Sequence, residues 1–257
     1  MNARRQPAAF IGHGNPMNTF ADNTWTRAWR AFGQRVARPR AILIVSAHWY
    51  IGTCAVTAMD RPRTIHDFGG FPQALFDLQY PAPGEPGLAA EVIELLDPIA
   101  VTADTGWGLD HGTWSVLAHV VPDADVPIVQ LSIDATQSLA HHIEVGRQLA
   151  PLRDDGVLLI GSGNIVHNIG RADFGSAGPF DWNVRFDAHI QRALEHHDEG
   201  ALIDYNNHPD GLLAVPTPDH YIPLLTIAGS RVSGDSLSVL THGYDAGSLS
   251  MRSIVYS

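Results

Sequence analysis

The chain has 257 residues, of which 45% are hydrophobic and 17% are charged, and its 27 acidic and 16 basic side chains give a formal net charge of −11. This composition excludes a disordered chain, disfavours nucleic acid or an anionic membrane as the main partner, and includes no apolar run long enough to span a bilayer. The single cysteine, Cys54, excludes an intramolecular disulfide framework and a cysteine-rich zinc site. Since α/β folds often reach this length as one unit, we expect one globular domain over residues 1–257, located in the cytoplasm.

Short apolar runs rich in β-branched residues predict strands along the whole chain. In chain order the predicted strands are Ala8–Ile11, Ala41–Val45, Thr53–Met59, Val126–Leu131, Val157–Ile160, Leu237–Leu240 and Leu249–Tyr256. Continuous runs such as Ala41–Val45 and Val157–Ile160 are typical of parallel strands that are buried on both faces.

Helical periodicity appears between most of these strands. The predicted helices are Thr24–Phe32, Gly87–Leu96, Gly112–Val120, Leu139–Leu152, Asp181–Glu195 and Tyr221–Ala228, and Phe174–Asp181 is predicted to be a loop. The repeated alternation predicts an α/β fold with a mostly parallel central sheet and helices on both faces.

Histidine is unusually frequent, with 14 residues against 16 lysines and arginines together. Three of the histidines follow predicted strands: His13, His48 and His167. Ligands of open α/β sheets bind just beyond the carboxyl ends of the strands, so these side chains are expected to meet at one edge of the sheet. The alternative is three ordinary loop histidines without a shared role.

A fourth candidate, His220, lies in the proline-rich segment Pro216–Leu225, whose restricted backbone suits a fixed metal ligand. Asp219 beside it is a candidate hydrogen-bond partner or a helix N-cap. The alternative for His220 is a surface histidine at the start of a helix.

Two further histidines lie in segments rich in glycine and aromatic residues. His111, within Gly106–Trp114, is either a titratable group in a pocket wall or part of the core. His66, within Thr64–Pro72, lies in a segment that we expect to act as a lid or to contact substrate.

The remaining histidines are expected to have structural or solvated positions. His119 and His189 are predicted on helix faces, His208 in a turn, and His141, His142, His196 and His197 in solvent, while His242 stays open. Cys54 is predicted to be a small buried residue with no redox role.

Histidine-rich sites with little cysteine suit Zn(II), Fe(II), Cu(II) or Ni(II) better than Mg(II) or Ca(II). Two histidines and a carboxylate would indicate a non-haem Fe(II) oxygenase, whereas three histidines would indicate a catalytic zinc with an open position. The chain has no GxSxG, P-loop or HExxH motif, which disfavours the commonest hydrolases, nucleotide-binding proteins and zinc proteases. The residues alone therefore leave both the metal and the reaction open.

Six segments, in this order along nearly the whole chain, resemble the class III extradiol ring-cleavage dioxygenases, and in particular their bacterial and plant DOPA 4,5-dioxygenase branch. They are Phe10–Met17, Ser46–Trp49, Thr64–Pro72, Trp107–Trp114, Ser162–Asn168 and Pro216–Tyr221. The resemblance implies a single catalytic α/β domain with one mononuclear divalent metal, Fe(II) for activity, in a site that Zn(II) can also occupy.

The resemblance also assigns roles to residues of this chain. It places the metal ligands at His13, His48 and His220, where His220 stands in place of the glutamate of the protocatechuate branch. It makes His167 either the acid/base or a fourth metal ligand, and His111 a further catalytic histidine of the pocket.

The implied reaction opens a DOPA-like catechol with O₂ to give a ring-opened semialdehyde. A neutral histidine can accept the second catechol proton and return it later, and we assign this role to His167. His66, Trp49 and Phe71 are expected to contact the substrate, although the aromatic side chains could equally belong to the core. Because zinc has no redox chemistry, the zinc-loaded form is expected to bind a catechol without cleaving it.

Two alternative functions use the same histidines. A zinc hydrolase would act through a metal-bound hydroxide and would be indifferent to oxygen. A non-catalytic metal-binding protein of this fold would gain thermal stability from the metal and turn over no catechol. The sequence leaves the natural catechol and the oligomeric state open.

Overall fold

The computed structural model describes residues 5–175 and 178–257. The predicted loop Phe174–Asp181 includes Ser176 and Ala177, which lie outside the described residues. In the part of the chain that the structure describes, no helix has the length and apolar character needed to cross a membrane.

Most predicted elements are present, with additional short ones between them. The strands are β1 (Ala8–Gly12), β2 (Ala41–Ile51), β3 (Cys54–Thr57), β4 (Arg63–Thr64), β5 (Val101–Asp104), β6 (Gly108–Leu109), β7 (Ile128–Asp134), β8 (Val157–Gly163), β9 (Leu237–Thr241), β10 (Tyr244–Asp245), β11 (Leu249–Ser250) and β12 (Ser253–Tyr256). The helices are α1 (Thr24–Arg35), α2 (Gln73–Asp77), α3 (Pro86–Leu95), α4 (His111–Val120), α5 (Leu139–Leu149), α6 (Asp181–His196), α7 (Glu199–Ile203), α8 (Gly211–Ala214) and α9 (Ile222–Gly229).

The main sheet has the strand order β5-β3-β7-β2-β8-β1-β12-β9. Its centre, from β7 through β2 and β8 to β1, is parallel. On one side β3 pairs antiparallel with β7 and parallel with β5, and on the other side β12 pairs antiparallel with both β1 and β9. The sheet is therefore mostly parallel at its centre, as predicted.

Side chains of the central strands alternate between two apolar layers, one on each face of the sheet. Phe10 and Leu43 belong to the layer covered by α3, α5, α6 and α9, whereas Ile11 and Ile44 belong to the layer covered by α1 and α4. A parallel strand with helices on both faces must be apolar on both sides, which explains the continuous run of Ala41–Val45. The predicted placement of helices on both faces is confirmed.

Two predicted elements are shorter than expected. The helix predicted over Leu139–Leu152 ends at Leu149 and passes into a 3₁₀ turn, Ala150–Arg153, because Pro151 has no N–H to continue the helical ladder. The strand predicted over Leu249–Tyr256 is divided into β11 and β12, and β11 pairs with β10 outside the main sheet.

The chain contains no lysine, and all 16 of its basic side chains are arginines. One of them, Arg252, is 3% exposed and forms a buried ion pair with Asp187, which is fully buried. Its Nη2 donates to Asp187 over 2.6 Å, and its Nε lies 3.0 and 3.2 Å from the two carboxylate oxygens. The Ser250 hydroxyl donates a further bond of 2.6 Å to Asp187.

Three expectations for side chains outside the site can be compared with the structure. Cys54 is buried in β3, and burial raises the pKa of its thiol to about 12, as expected for an inert core residue. His119 lies buried on α4 and shares a hydrogen bond of 2.8 Å with the Asn18 carbonyl. The prediction of a solvated His142 is wrong: this side chain is 4% exposed, because its position on α5 faces the core beside Ile143.

Candidate metal centre

Three segments bring histidines to the carboxyl ends of the central strands. His13 follows β1, and its N–H donates to the Gly163 carbonyl at the end of the neighbouring β8. His48 lies inside β2, since this strand continues past Val45 to Ile51. His220 ends a 3₁₀ turn, Pro218–His220, that packs directly on β8.

The approach of His220 depends on a glycine. A Cβ atom at Gly163 would lie 2.2 Å from the His220 carbonyl oxygen, a distance that no side chain tolerates. The same carbonyl accepts the Asn164 N–H over 2.9 Å. Gly163 therefore permits the turn that carries His220 to lie against the end of β8.

The ligand atoms of His13, His48 and His220 lie within 4.8 Å of one another. The Nε2 atoms of His13 and His48 are 3.3 Å apart, and the ring of His220 lies 5.3 Å from that of His13 and 5.0 Å from that of His48. The fold therefore brings these three of the expected metal ligands together in one cluster.

The opposite nitrogen of each of these rings has a hydrogen-bond partner. The His13 Nδ1 lies 2.9 Å from the Ser162 hydroxyl, whose own proton is donated to the Gly112 carbonyl, so Nδ1–H is the donor. His220 Nδ1 bonds to the Asp219 carboxylate, and His48 Nδ1 lies 3.2 Å from Asp67. Protonated Nδ1 atoms leave the Nε2 lone pairs for a metal, and such partners fix the ring orientation of metal-bound histidines.

The charge states of two of these rings suit metal binding in the absence of an ion. Burial lowers the pKa of both His13 and His220 well below the usual value, which keeps them in the neutral form that binds metals. Burial also acts on His48 and lowers its pKa, but the hydrogen bond that its ring donates to Asp67 and the charge of Asp110 raise the pKa overall.

His111 opens helix α4 beside this cluster, and its ring lies 3.8 Å from that of His48. Its Nδ1 bonds over 2.9 Å to Asp67, and its backbone N–H donates to the other Asp67 oxygen, also over 2.9 Å. Although burial opposes it, the hydrogen bonds from His111 and His48 hold the pKa of Asp67 well below its usual range. Asp67 is therefore a carboxylate that serves two site histidines.

His167 lies next to the cluster without joining it. Its ring stacks on that of His220 with centroids 3.5 Å apart and planes 4° from parallel. Burial lowers the pKa of His167 to about 4, so the imidazole is neutral near pH 7. Within the described residues two groups of mutually close metal-ligating atoms occur, one of His13, His48 and His220 and one of His48, Asp67 and His111, and His167 belongs to neither.

The expected substrate-contacting residues fall into two places. Phe71 and His66 belong to an aromatic group around the N-terminal part of α4. This group also includes Phe68, Phe76 and Trp114. Phe68 connects this group to the site, with its ring 5.4 Å from His111. Trp49 follows His48 along β2, where successive side chains alternate, and it stacks 5.5 Å from Trp107.

Sequence reasoning missed three polar residues around the histidines: Asp67, Asp110 and Ser162. Asp110 is fully buried, caps α4 by accepting the Thr113 N–H, and also accepts the Ser46 hydroxyl over 2.7 Å. Each of the three lies within a segment that also contains a site histidine or its neighbour. Their presence inside these segments was the available signal, but their hydrogen-bond partners are far away in sequence.

Comparison with known proteins shows the family of the chain. A family model described as the catalytic LigB subunit of aromatic ring-opening dioxygenase matches residues 12–248. The protein named 4,5-DOPA dioxygenase extradiol of Escherichia coli K12 is 48% identical, covering 99% of this chain and 96% of its own, and the protein of the same name from Beta vulgaris is 35% identical, covering 96% and 95%.

A solved structure agrees with the fold. The crystal structure of an uncharacterized protein from Escherichia coli K12 matches with a TM-score of 0.88 and 42% identity, covering 98% of this chain and all of that one. The family resemblance in the sequence is thus confirmed by a family model, by full-length relatives and by a shared fold. The chain belongs to the LigB family of aromatic ring-opening dioxygenases.

Proposed function

We propose that this extradiol dioxygenase uses a metal held by His13, His48 and His220 to open the ring of a DOPA-like catechol with O₂, giving a ring-opened semialdehyde. The observation that carries the proposal is the convergence of three imidazoles whose Nδ1 atoms are all engaged by other groups. The names of the relatives, 4,5-DOPA dioxygenase extradiol, support the choice of substrate class.

The donor set fits one divalent metal ion. Three imidazole nitrogen ligands suit Fe(II) and Zn(II) alike. Bound there, Fe(II) would supply a redox-active Lewis acid at which a catechol and O₂ can meet, whereas Zn(II) has no redox chemistry. We therefore propose Fe(II) as the active metal and one catalytic domain over residues 1–257.

The protein's own residues orient the ligands and handle protons. Ser162, Asp219 and Asp67 hold His13, His220 and His48 by their Nδ1 atoms. The neutral His167, fixed against His220 by stacking, is available to accept a proton from a catechol hydroxyl and to return it later. We assign this acid/base role to His167 in preference to that of a fourth ligand, since its nitrogens are not part of the metal-ligating group among the described residues.

The remaining side chains shape the substrate position. The ring centroid of His111 lies 5.9 Å from that of His13 and 3.8 Å from that of His48. This position is close enough for His111 to contact a bound catechol as the second catalytic histidine. Phe71 and His66 belong to the aromatic group beside it, which excludes water from one side of the site. Trp49 is buried against Trp107, and its contact with the substrate stays a prediction.

The test is oxygen uptake by protein that is stripped of metal with a chelator and reloaded without air. Samples loaded with Fe(II) or Zn(II) are given L-DOPA, dopamine or unsubstituted catechol while a yellow product is followed by absorbance. Uptake with Fe(II) and none with Zn(II) is expected. Turnover of an ester or amide substrate with Zn(II), together with no oxygen uptake under any condition, would replace this proposal with a zinc hydrolase.

A further inference from the structure

Asp67 lies in a surface loop, yet its carboxylate contacts two histidines of the site. Its side chain is 17% exposed, and a single oxygen, Oδ2, lies 2.9 Å from His111 Nδ1 and 3.2 Å from His48 Nδ1. Its other oxygen accepts the backbone N–H of His111 over 2.9 Å. One carboxylate thus joins residues of β2 and α4 to the loop of residues 65–72.

The start of this loop is anchored on strand β6 and on helix α4. The Ile65 N–H donates to the Leu109 carbonyl over 2.7 Å, and the Trp114 indole N–H donates to the Ile65 carbonyl over 2.8 Å. Beyond Asp67 the loop is open, since a Cβ atom at Gly69 or Gly70 would meet no atom within 4 Å. Asp67 is therefore the polar anchor that precedes the open tip.

Aromatic side chains of the loop follow this anchor directly. The Phe68 ring lies edge-on to His111 at 5.4 Å and contacts Phe71 at 5.3 Å. Because Phe68 is the next residue after Asp67, the hydrogen bonds of Asp67 set where this ring lies. Release of the carboxylate would free both the ring of Phe68 and the orientation of His48.

We propose that Asp67 is a positioning residue that holds the His48 ring in its metal-binding orientation and at the same time fixes loop 65–72 beside His111. The inference rests on the proposed function, because it takes His48 as a metal ligand. It adds that one carboxylate holds both the metal ligand His48 and the loop that borders the substrate position.

The same atoms could be explained by a second metal ion, because the ligand atoms of His48, Asp67 and His111 also lie within 4.8 Å of one another. Both Nδ1 atoms, however, lie at hydrogen-bond distances from the carboxylate, and a proton on each accounts for the convergence. The positioning role therefore predicts one metal ion per chain.

The test compares three variants, with metal affinity as the main readout. Asp67→Asn keeps the shape but loses the charge, and its NH₂ group cannot accept from a histidine N–H. Asp67→Glu keeps the carboxylate on a longer arm and serves as the conservative replacement. Asp77→Asn is the matched control, since Asp77 is exposed on the adjacent α2 and bonds only to Gln73 among the contacts that the structure gives.

Affinity for Co(II) and Zn(II) is measured by chelator competition, and the visible spectrum of the Co(II) form reports the ligand arrangement. We expect Asp67→Asn to bind both metals about 10- to 100-fold more weakly, with an altered Co(II) spectrum, as for other partners of metal-bound histidines. Asp67→Glu is expected to recover part of the affinity, and Asp77→Asn to match the unsubstituted protein. Chymotrypsin is expected to cleave after Phe68 faster in Asp67→Asn than in the control.

Two results would overturn the inference. One is wild-type metal affinity and an unchanged Co(II) spectrum in a folded Asp67→Asn protein, and the other is two tightly bound metal ions per chain. Far-UV circular dichroism of the metal-free variants establishes folding, and if Asp67→Asn does not fold, Asp67→Glu carries the affinity test. Failure of the unsubstituted protein to bind metal or consume oxygen would remove the proposed function itself, which is a different outcome.

Discussion

The imidazole of His167 lies flat on that of His220, with ring centroids 3.5 Å apart and planes within 4° of parallel. The stack leaves the Nδ1 of His220 bonded to Asp219 and leaves His167 in place beside the candidate metal ligands. Burial keeps His167 neutral by lowering its pKa to about 4. A neutral base held rigidly at a metal site is the arrangement that proton transfer from a catechol requires.

Replacing His167 tests this role. We expect His167→Ala to lower kcat by roughly 10²- to 10⁴-fold, the usual contribution of a positioned acid/base, while metal content stays near one ion per chain. Oxygen uptake at saturating catechol and metal analysis of the same sample provide the measurement. A variant with unchanged turnover would show that His167 is not the base, and one that loses its metal would show that it is a ligand.

Metal removal is expected to destabilise the folded protein by mass action. At a free metal concentration 100 times the Kd, binding adds about 2.7 kcal/mol to the free energy of unfolding. Adding Fe(II) or Zn(II) to chelator-treated protein should therefore raise Tm, and His220→Ala should lose this response. His196→Ala, at an exposed position on α6, is the matched control and should keep it. An equal metal-dependent rise in Tm for His220→Ala would argue against the assigned ligand set.

Acid sensitivity is expected from a histidine far from the metal centre. Burial lowers the pKa of His142 from 6.5 to about 4, so the unfolded chain binds more protons than the folded one between these values. The stability linked to His142 is present above pH 6.5 and is lost as the pH falls through about 4, with a total of roughly 3 kcal/mol.

The measurement for His142 is urea unfolding between pH 4 and 7.5, carried out on the unsubstituted protein and on His142→Leu. The difference between the two unfolding free energies removes the contributions of the other buried histidines. We expect this difference to shift in favour of the variant as the pH falls. A pH-independent difference would mean that His142 has the same pKa in the folded and unfolded states.

The buried ion pair between Arg252 and Asp187 is expected to be sensitive to the loss of either partner. Asp187→Ala would leave the 3%-exposed Arg252 without its carboxylate, at a cost of about 3–5 kcal/mol. Asp22→Ala, which removes a carboxylate paired with Arg27 and Arg30 at the surface, is the control and should leave the urea midpoint unchanged. Similar urea midpoints for Asp187→Ala and Asp22→Ala would contradict the expectation that the buried carboxylate contributes more to stability than the exposed one.

Local patterns in the sequence predicted the strands that position the site, because each parallel strand needs a continuous apolar run. The meeting of His13 with His48 followed from those strands, since parallel neighbours end at the same edge. The pattern did not predict that β2 continues to Ile51 and carries His48 inside the strand, because the residues after Val45 are mixed in polarity.

Long-range polar contacts were beyond the sequence. Asp67 and His111 are separated by 44 residues, and the pairing of β4 with β6 helps to bring them together. Likewise, His142 was predicted to be solvated on a predicted helix, whereas the rotation of α5 against the sheet decides which of the two adjacent histidines is buried. Such contacts depend on how whole elements pack, which no local periodicity encodes.

The burial of Cys54 and the absence of lysine would protect the protein from oxidation products of the catechol substrate that we propose. Two-electron oxidation converts catechols into ortho-quinones. These are electrophiles, and thiolates and side-chain amines add to them. The only thiol of the chain is buried with its pKa raised to about 12, so it is neither accessible nor ionised near neutral pH. With arginines in place of every lysine, the side chains of this protein offer no primary amine for arylation or for imine formation with an aldehyde product.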